Sequence, residues 1–246
     1  MKWHLIDDGF NTGKYNMETD LHLANVCGND EAYVRFYRWK PYSISLGANQ
    51  SFEDIDLTKA ANDNIDVVKR PTGGRAILHA EEITYSVILP LSIGLSPREI
   101  YEKISHSLVK GITEYSPELK SAELEKQQPH FPALLKENSG AVCFASSAKN
   151  EVKFDHKKMI GSAQRKLKNN ILQHGSVLCG TFHKNLINYL LNVDKDELQK
   201  ELNSKTIEIE TVLNTKVDYN KLKECLTTGF ESEWEIELSL EHKLEF

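Results

Sequence analysis

The chain has 246 residues, of which 40% are hydrophobic and 27% charged, with a formal net charge of -6 at pH 7. This composition is typical of a folded globular protein and excludes a disordered or fibrous chain. The first twenty residues hold no continuous apolar segment and no later stretch reaches membrane-spanning length, so we expect a cytoplasmic protein with no membrane association. The four cysteines, at positions 27, 143, 179 and 225, form no CxxC pair, which argues against a zinc site or a disulfide framework.

Charge is unevenly distributed along the chain. From Asp194 to Phe246 there are fourteen acidic side chains against seven lysines. Between Lys149 and Lys168 the balance reverses, with seven basic side chains against two acidic ones. Lysines on a hairpin edge discourage aggregation, and the same surface could instead dock an acidic partner. Because the chain is acidic overall and has no interleaved aromatic platform, we expect no binding to nucleic acid.

The first half of the chain predicts helices interleaved with strands. Apolar residues between 16 and 26 have helical spacing, whereas residues 32–50 alternate like strands and are divided in two by Lys40-Pro41. A short helix is predicted over 56–62, and strands over 66–70 and 84–89. Ser96 followed by Pro97 predicts the start of a helix that ends near Tyr115.

The second half begins with a polar, proline-interrupted stretch over 116–141, which predicts a long surface loop. A hairpin is predicted around residues 155–157, followed by a strand over 171–180. The remainder predicts a helix over 186–191, a short helix, an extended segment over 205–213, a helix over 219–230 and a last strand over 234–240. These elements indicate an α+β fold, of mixed α/β character, in which helices flank a mixed sheet. We expect a single domain over 1–246, with 181–246 as a small C-terminal cap of helices and a strand.

The glycine pair at 73 and 74 has two interpretations. Glycines can adopt positive φ and allow backbone N–H groups to approach a ligand closely, as in an anion-binding concavity. Two adjacent glycines between strands are also common in a hairpin turn, which the residues alone favour. The flanking Lys69, Arg70 and Arg75 shift this balance only slightly towards a ligand site.

Three further residues carry both a structural and a chemical interpretation. His79 and His174 each lie on a predicted strand, where a hydrogen-bonded core or edge histidine is the more common case and a catalytic one the less common. Neither has a partner at metal-ligand spacing, so no metal site is predicted. Cys143 is either a small buried hydrophobe or a nucleophile, and the second role requires a thiolate. A cation such as Lys158 would have to stand beside the sulfur, and for this the loop that carries Cys143 must fold back.

Three stretches in this order resemble the biotin/lipoate protein ligase superfamily: residues 69–87, 140–144 and 158–178. Within that superfamily the details are most similar to the cysteine-dependent octanoyltransferases of the LipM type. Arg75, where ATP-dependent lipoate ligases usually have a third glycine, and Cys143 followed by Phe144 favour this branch. The resemblance implies the catalytic-domain fold of the superfamily, with Cys143 and Lys158 as catalytic residues. It also implies a set of substrate-binding residues: Arg70, Thr72, Gly73, Gly74, Arg75, Ile77, His79, Tyr85, Gly161, Ser162, Ala163, Gln164, His174 and Gly175.

The implied reaction moves an octanoyl group from acyl carrier protein, through a thioester on Cys143, to a lysine of the glycine-cleavage H protein or of a lipoyl domain. It implies no cofactor, and we expect the protein to act as a monomer. Lys158 would favour the thiolate and the developing oxyanion. On this view the glycine pair is both a turn and a wall, and residues around Ile77, Leu78 and Val87 form part of an acyl tunnel.

Three other functions stay open. An ATP-dependent lipoate–protein ligase would use ATP and Mg, and would hold an acyl-adenylate in the same glycine loop with Lys158 on its phosphate. A lipoyl amidotransferase would move lipoyl or octanoyl groups between proteins. A non-catalytic module would only bind an acyl group or a lipoyl domain.

Overall fold

Two β-sheets organise the fold, which the computed structural model describes over residues 1–125 and 151–241. The strands of these ranges, numbered in chain order, are β1 (Lys2–Asn11), β2 (Glu31–Trp39), β3 (Ser43–Leu46), β4 (Asp66–Lys69), β5 (Ile77–His79), β6 (Glu82–Pro90), β7 (Glu123–Leu124), β8 (Val152–Phe154), β9 (Lys157–Lys166), β10 (Asn170–Leu178) and β11 (Ser239–Glu241). The α-helices of the same ranges are α1 (Gly13–Val26), α2 (Leu57–Asn62), α3 (Pro97–Tyr115), α4 (Lys195–Lys205), α5 (Ile209–Leu213) and α6 (Tyr219–Trp234). The predicted α+β class, with mixed sheets flanked by helices, is confirmed.

The main sheet has the strand order β11-β1-β2-β6-β10-β9-β8-β7. β1 pairs in parallel with β2 and β11, and the other neighbours are antiparallel. Parallel β1 and β2 need a crossover, which α1 supplies, whereas β8 and β9 are joined by a tight turn. In that turn Asp155 and His156 both have positive φ, and the hairpin lies where the sequence predicts it.

Helix α3 follows the sequence prediction from end to end. Ser96 and Glu99 form a capping box at its start, and Pro97 occupies the first turn. The apolar stripe Ile100, Ile104, Leu108 and Ile112 is fully buried against the main sheet and α6. Burial of such a stripe is the main source of helix stability in proteins. This layer closes one face of the main sheet and leaves the other face for the site.

The smaller sheet corrects the hairpin interpretation of the glycine pair. Its order is β4-β3-β5, so the strands before and after the glycines do not pair with each other. β4 is parallel to β3 and β5 is antiparallel to it, which makes the glycine segment a loop that crosses over the end of β3. There the loop packs directly against Gly47, where an added Cβ would lie 2.0 Å from the carbonyl oxygen of Gly74. A side chain at position 47 is therefore incompatible with this crossing.

The C-terminal part departs from the sequence prediction at two places. Residues 209–213 of the expected extended segment form helix α5. Within the described structure, the β-bridge of this segment to a strand joins Thr206 to Lys158. The helix predicted over 186–191 is a 3₁₀ helix over Thr181–Asn188. The described part of 181–246 also enters the cores: Leu222, Leu226 and Phe230 belong to the main core, and Leu198 and Leu202 to the core of the smaller sheet. A single domain with a C-terminal cap stays a prediction.

No helix in the described ranges is both long enough and apolar enough to cross a membrane. The first part of the predicted loop 116–141 contains a 3₁₀ helix (Pro117–Leu119) and strand β7. The rest of that loop, together with Cys143, lies outside the described residues.

Candidate active site

A small cavity of about 20 Å³ lies between the two sheets. This volume has room for about one water-sized molecule. Its described lining comes from α1, from four strands of the main sheet (β2, β6, β9 and β10), and from the smaller sheet with the loop after β4: Met17, Tyr37, Trp39, Ser45, Arg70, Ile77, His79, Thr84, Gly161, Ser162, Ala163, His174, Gly175 and Ser176. One wall is thus aromatic and aliphatic, and the other walls carry hydroxyl, imidazole and guanidinium groups.

Arg70 fixes the shape of the glycine loop from inside. Its guanidinium donates to the carbonyl oxygens of Gly73 (3.0 and 3.2 Å) and Arg75 (2.7 Å). It also donates to the carbonyl oxygen and the hydroxyl of Ser45, at 2.9 and 3.0 Å. Because a guanidinium has five donors in a planar fork, one side chain holds the loop against β3. Of the two glycines, Gly74 has the positive φ, at 92°.

His79 is held by a carboxylate on one ring nitrogen and a hydroxyl on the other. Glu82 Oε1 lies 2.8 Å from Nδ1, and Ser45 Oγ lies 2.7 Å from Nε2. The ring stacks on Trp39 with centroids 4.1 Å apart. Burial tends to raise the pKa of Glu82, but its pairing with His79 and the hydrogen bonds from His79, Thr84 and Ser176 outweigh burial, so that pKa lies below its usual value.

His174 has a parallel arrangement on the neighbouring strand. Its Nδ1 lies 3.1 Å from Asp20 Oδ2 and its Nε2 lies 2.6 Å from Thr72 Oγ1. Asp20 also accepts from Arg35, which donates in addition to Asp8, so this dyad is backed by a fully buried ion-pair network. Burial lowers the pKa of His174, and the hydrogen bond to Asp20 opposes the shift only in part. His174 is therefore neutral at neutral pH, and Thr72 ties the glycine loop to β10.

A second polar chain runs beside the cavity, behind Ser162. The Tyr85 hydroxyl donates to Ser162 Oγ at 2.7 Å and accepts from Gln173 at 3.2 Å. Gln164 donates to Gln173 Oε1 and to the carbonyl oxygen of Pro97. Burial raises the pKa of Tyr85 to about 12, so the phenol stays a donor at physiological pH. This chain fixes the rotamer of Ser162 at the cavity wall.

Lys158, at the start of β9, is almost completely buried. Its Nζ lies 2.8 Å from Glu151 Oε2, and the two side chains are 1% and 3% exposed. The two groups form a buried ion pair, and loss of either partner would leave the other charge in a medium of low polarity. The C-terminal segment holds the backbone of the same residue, since the Ile207 N–H donates to the Lys158 carbonyl oxygen at 3.0 Å.

The model of the lipoyl protein ligase A/B catalytic domain matches residues 12–231. The chain is also 34% identical to an octanoyltransferase LipM of Clostridioides difficile, over 96% of this chain and 88% of that one. The chain belongs to the lipoyl protein ligase A/B catalytic domain family. A LipM of Staphylococcus aureus is 31% identical, again over 96% and 88% of the two chains.

Solved structures of lipoate–protein ligases share the fold of this family member. Lipoate-protein ligase A bound with ATP has a TM-score of 0.77 at 18% identity, covering all of this chain and 90% of that one. A putative lipoate protein ligase from T. acidophilum with bound lipoic acid has a TM-score of 0.76 at 18% identity, covering all of this chain and 91% of that one. Similarity at this level of identity establishes the fold.

Within this lipoyl ligase fold, the predicted site residues fall into three groups. One group lines the cavity: Arg70, Ile77, His79, Gly161, Ser162, Ala163, His174 and Gly175. A second group supports the walls from behind or from the glycine loop: Thr72, Gly73, Gly74, Arg75, Tyr85 and Gln164. The catalytic candidates form the third: Lys158 is buried on the strand that carries Gly161, and Cys143 lies outside the described residues.

Two residues of the expected acyl tunnel lie elsewhere. Val87 and Leu78 are absent from the described cavity lining, whereas Ile77 belongs to it. Val87 points into the main core beneath α3, and Leu78 packs in the core of the smaller sheet. The reason is the strand period of two, which sends alternate side chains to opposite faces. A role of Leu78 and Val87 in an acyl tunnel stays a prediction.

The sequence analysis missed several residues of the site. The cavity lining that it did not single out comprises Met17, Tyr37, Trp39, Ser45, Thr84 and Ser176. The buried charges behind the lining are Asp20, Arg35, Glu82 and Glu151. A usable signal exists for some, since Ser45, Thr84 and Ser176 are hydroxyl residues at alternate positions of apolar strands. Such residues are candidates for a polar inward face.

Proposed function

We propose that this protein is an octanoyltransferase of the LipM type that takes its octanoyl group from acyl carrier protein. The group passes through a thioester on Cys143 to a lysine of a lipoyl domain or of the glycine-cleavage H protein. The observation that carries the proposal is the buried Lys158 ammonium, on the strand that supplies Gly161, Ser162 and Ala163 to the cavity. Octanoyl transfer is the activity named for the relatives at 34% and 31% identity. Its acceptors are proteins.

The chemistry has two steps. The Cys143 thiolate attacks the octanoyl carbonyl, the bond from that carbon to the carrier sulfur breaks, and the carrier thiolate leaves. An uncharged lysine amine of the acceptor then attacks the enzyme thioester, the C–S bond to Cys143 breaks, and an amide forms. Since the donor thioester is already activated, the proposal requires no ATP and no other cofactor. The amide is more stable than a thioester, so transfer is effectively one-way.

Lys158 would serve both steps through its charge. An ammonium beside Cys143 would favour the thiolate, and beside the carbonyl it would stabilise the negative charge of the tetrahedral intermediate. The distance from Lys158 to Cys143 is part of the proposal, because Cys143 is outside the described residues. Glu151 limits where the ammonium can move, since the two groups are in contact.

One apolar side chain of the described cavity lining is flexible. Met17 lies in the wall, and its unbranched thioether changes rotamer at low cost. Tyr37 and Trp39 are more constrained because their polar atoms are bonded to Asp20 and Thr84.

Substitution of Cys143 by alanine tests the proposal against an ATP-dependent lipoate–protein ligase. Transfer from octanoyl acyl carrier protein to a lipoyl domain should be abolished in Cys143→Ala. Cys225→Ala, at a half-buried cysteine on α6, is the matched control and should transfer normally. A Cys143→Ala protein that still joins lipoate or octanoate to the acceptor when ATP and Mg are supplied would overturn the transferase mechanism in favour of a ligase.

A further inference from the structure

A chain of hydrogen bonds joins a hydroxyl on the cavity wall to a buried carboxylate. Ser45 and His79 both line the cavity, and Glu82 stands behind them. The contacts are Ser45 Oγ to His79 Nε2 at 2.7 Å and His79 Nδ1 to Glu82 Oε1 at 2.8 Å. All three side chains are at least nine-tenths buried. A hydroxyl, an imidazole and a carboxylate in this order form the standard pathway for moving a proton in an enzyme.

Arg70 sets the direction of the protons in this chain. A guanidinium can only donate, so Ser45 Oγ accepts from Arg70 Nη1 at 3.0 Å. The Ser45 proton is then free to point at His79 Nε2. The relay uses the tautomer of His79 in which Nε2 accepts this proton and Nδ1–H donates to Glu82, which is an acceptor when ionised. Ser45 keeps one lone pair for a ligand in the cavity.

The Glu82 carboxylate interacts with His79 through a hydrogen bond and an ion pair. Its Oε1 accepts from His79, Thr84 and Ser176. Its Oε2 is buried and has no hydrogen-bond partner in the described structure, which is a costly arrangement for a carboxylate. Within the described ranges, Glu82 forms its ion pair with His79. A proton that arrives on His79 would create an ion pair with Glu82 and offset that cost.

The pair of His174 and Asp20 differs from the pair of His79 and Glu82 both in the hydroxyl bonded to the histidine and in the charge beside the carboxylate. The Thr72 hydroxyl bonded to His174 is not in the described lining of the cavity, so it cannot meet a ligand there. Asp20 is already neutralised by Arg35, which contacts it at 2.8 Å. His174 is therefore bonded to a hydroxyl outside the described lining and to a carboxylate paired with Arg35, whereas His79 is bonded to a hydroxyl in the lining and to the Glu82 carboxylate.

We propose that Ser45, His79 and Glu82 form a proton relay that accepts the proton of the acceptor lysine in the second step of the proposed octanoyl transfer. The relay rests on that proposed function. As the amine nitrogen bonds to the octanoyl carbon and the C–S bond to Cys143 breaks, one amine proton passes to Ser45 Oγ. Ser45 passes its own proton to His79 Nε2, and the imidazolium pairs with Glu82. Ser45 is the catalytic residue that meets the amine, and Glu82 is a positioning residue.

The test separates attack by lysine from attack by an amine that needs no relay. The octanoyl enzyme is prepared from octanoyl acyl carrier protein, isolated, and mixed either with a lipoyl domain or with hydroxylamine. Hydroxylamine is weakly basic, so the product of its attack releases its proton directly to water. In Glu82→Gln the amide N–H favours the wrong tautomer of His79, and we expect transfer to the lipoyl domain to slow by about 100-fold. The KM for the lipoyl domain and the rate with hydroxylamine should change by less than about twofold.

Ser45→Ala provides a second route to the same result, because it removes the hydroxyl and leaves the carboxylate intact. The matched control is Ser43→Ala, at a buried hydroxyl two residues earlier on β3 that is bonded to the Pro41 carbonyl oxygen. It should transfer octanoyl at the wild-type rate. Thermal unfolding of each variant establishes that the protein compared is folded.

Equal slowing with the lipoyl domain and with hydroxylamine would overturn the relay, since a structural defect affects both. Unchanged transfer in Ser45→Ala and Glu82→Gln would overturn it as well. Failure of the proposed function is a separate result: the wild-type protein would then form no octanoyl enzyme at all, before any variant is compared.

Discussion

At the scale of single residues, the decisive feature is a lysine buried where lysines rarely lie. Lys158 is 1% exposed and its Nζ lies 2.8 Å from Glu151 Oε2, so the two side chains form a buried ion pair. Removing one member of a buried ion pair leaves the other charge in poor surroundings, whereas removing both is often tolerated. The structural and chemical roles of Lys158 can therefore be separated by mutation.

Lys158→Met should lower the free energy of unfolding by ~3 kcal/mol, because the buried Glu151 carboxylate loses the ammonium that it contacts. The double variant Lys158→Met/Glu151→Gln should regain most of that stability, as measured by urea unfolding. Octanoyl transfer should be lost in both. Recovery of transfer in the double variant would show that Lys158 acts on stability alone.

The site residues that the sequence revealed are those with a local signature. His79 and His174 stand out as polar residues on apolar strands, and the motif around Gly161 is recognisable by itself. Glu82 and Asp20 acquire their roles from contacts that no local pattern contains: Asp20 meets His174 from 154 positions away in the chain. Long-range hydrogen bonds of this kind were beyond sequence reasoning.

At the scale of elements, α3 is determined by its own local sequence, whereas the segment 205–213 is determined by contacts with residues distant in the chain. Helix α3 is specified by its own caps and apolar stripe, and its prediction was confirmed. Residues 205–213 alternate polar and apolar side chains, which indicates a strand, yet Glu208 lies between His183 and Lys184 and the chain turns into α5 after it. The contacts of the buried Glu208 carboxylate with residues distant in the chain therefore outweigh the local alternation.

Glu208 offers a stability prediction with a definite dependence on pH. Burial alone would raise the pKa of Glu208, but hydrogen bonds from His183, Lys184 and Thr211 lower it to about 2. A folded-state pKa below the unfolded one stabilises the fold above the unfolded pKa, and this contribution is lost as pH falls through the folded pKa. Glu208→Gln should thus be less stable than the wild type by ~2–3 kcal/mol at pH 7. The gap should close as pH falls from about 4.5 towards about 2.

Urea unfolding of both proteins across this pH range measures the gap. The control is Glu197→Gln on helix α4, an exposed position where the change should be below ~0.5 kcal/mol at every pH. A Glu208→Gln deficit that is independent of pH would contradict the assignment of the stabilising charge to Glu208.

The close packing of strands β9 and β10 beside the cavity depends on the absence of a side chain at Gly175. A Cβ there would lie 2.3 Å from the Gly161 carbonyl oxygen and 2.8 Å from the Tyr85 ring. Gly175→Ala must therefore separate strands that line the cavity, and we expect a loss of ~1–3 kcal/mol with impaired octanoyl transfer. Gly73→Ala has open space around the added methyl group, so its stability should change far less. Thermal unfolding and transfer rates check both, and equal effects at the two positions would contradict this account.

At the scale of the whole molecule, the site lies where two sheets meet, and the glycine loop and the second sheet form its outer wall. The sequence predicted the α+β class and most strands, because each strand has its own alternation. It did not predict that β3 separates β4 from β5, since strand order is decided by packing across the chain. For that reason the residues alone favour a hairpin turn at the glycine pair.

The structure also changes the interpretation of the basic stretch between residues 149 and 168 as a docking surface. Lys158 is buried and Lys153 pairs with Glu125, so neither presents a free charge to a partner. Arg165, Lys166 and Lys168 are exposed. An acidic carrier protein would meet these three first, because complementary charge acts mainly on encounter.

Charge reversal at Lys166 and Lys168 should raise the KM for octanoyl acyl carrier protein about tenfold at low salt, with kcat unchanged. Steady-state kinetics at two ionic strengths measure this, and the difference from wild type should shrink at high salt. Reversal at Lys195 and Lys200, on helix α4, is the control. An unchanged KM after reversal at 166 and 168 would exclude this surface as the docking site.

The most direct test of the central claim is the intact mass of the protein after mixing with octanoyl acyl carrier protein in the absence of ATP. The account predicts one octanoyl adduct, located on Cys143 by peptide mapping, that disappears when a lipoyl domain is added as the domain gains the same mass. An unmodified protein, or an acceptor that gains octanoyl only when ATP is present, would contradict it.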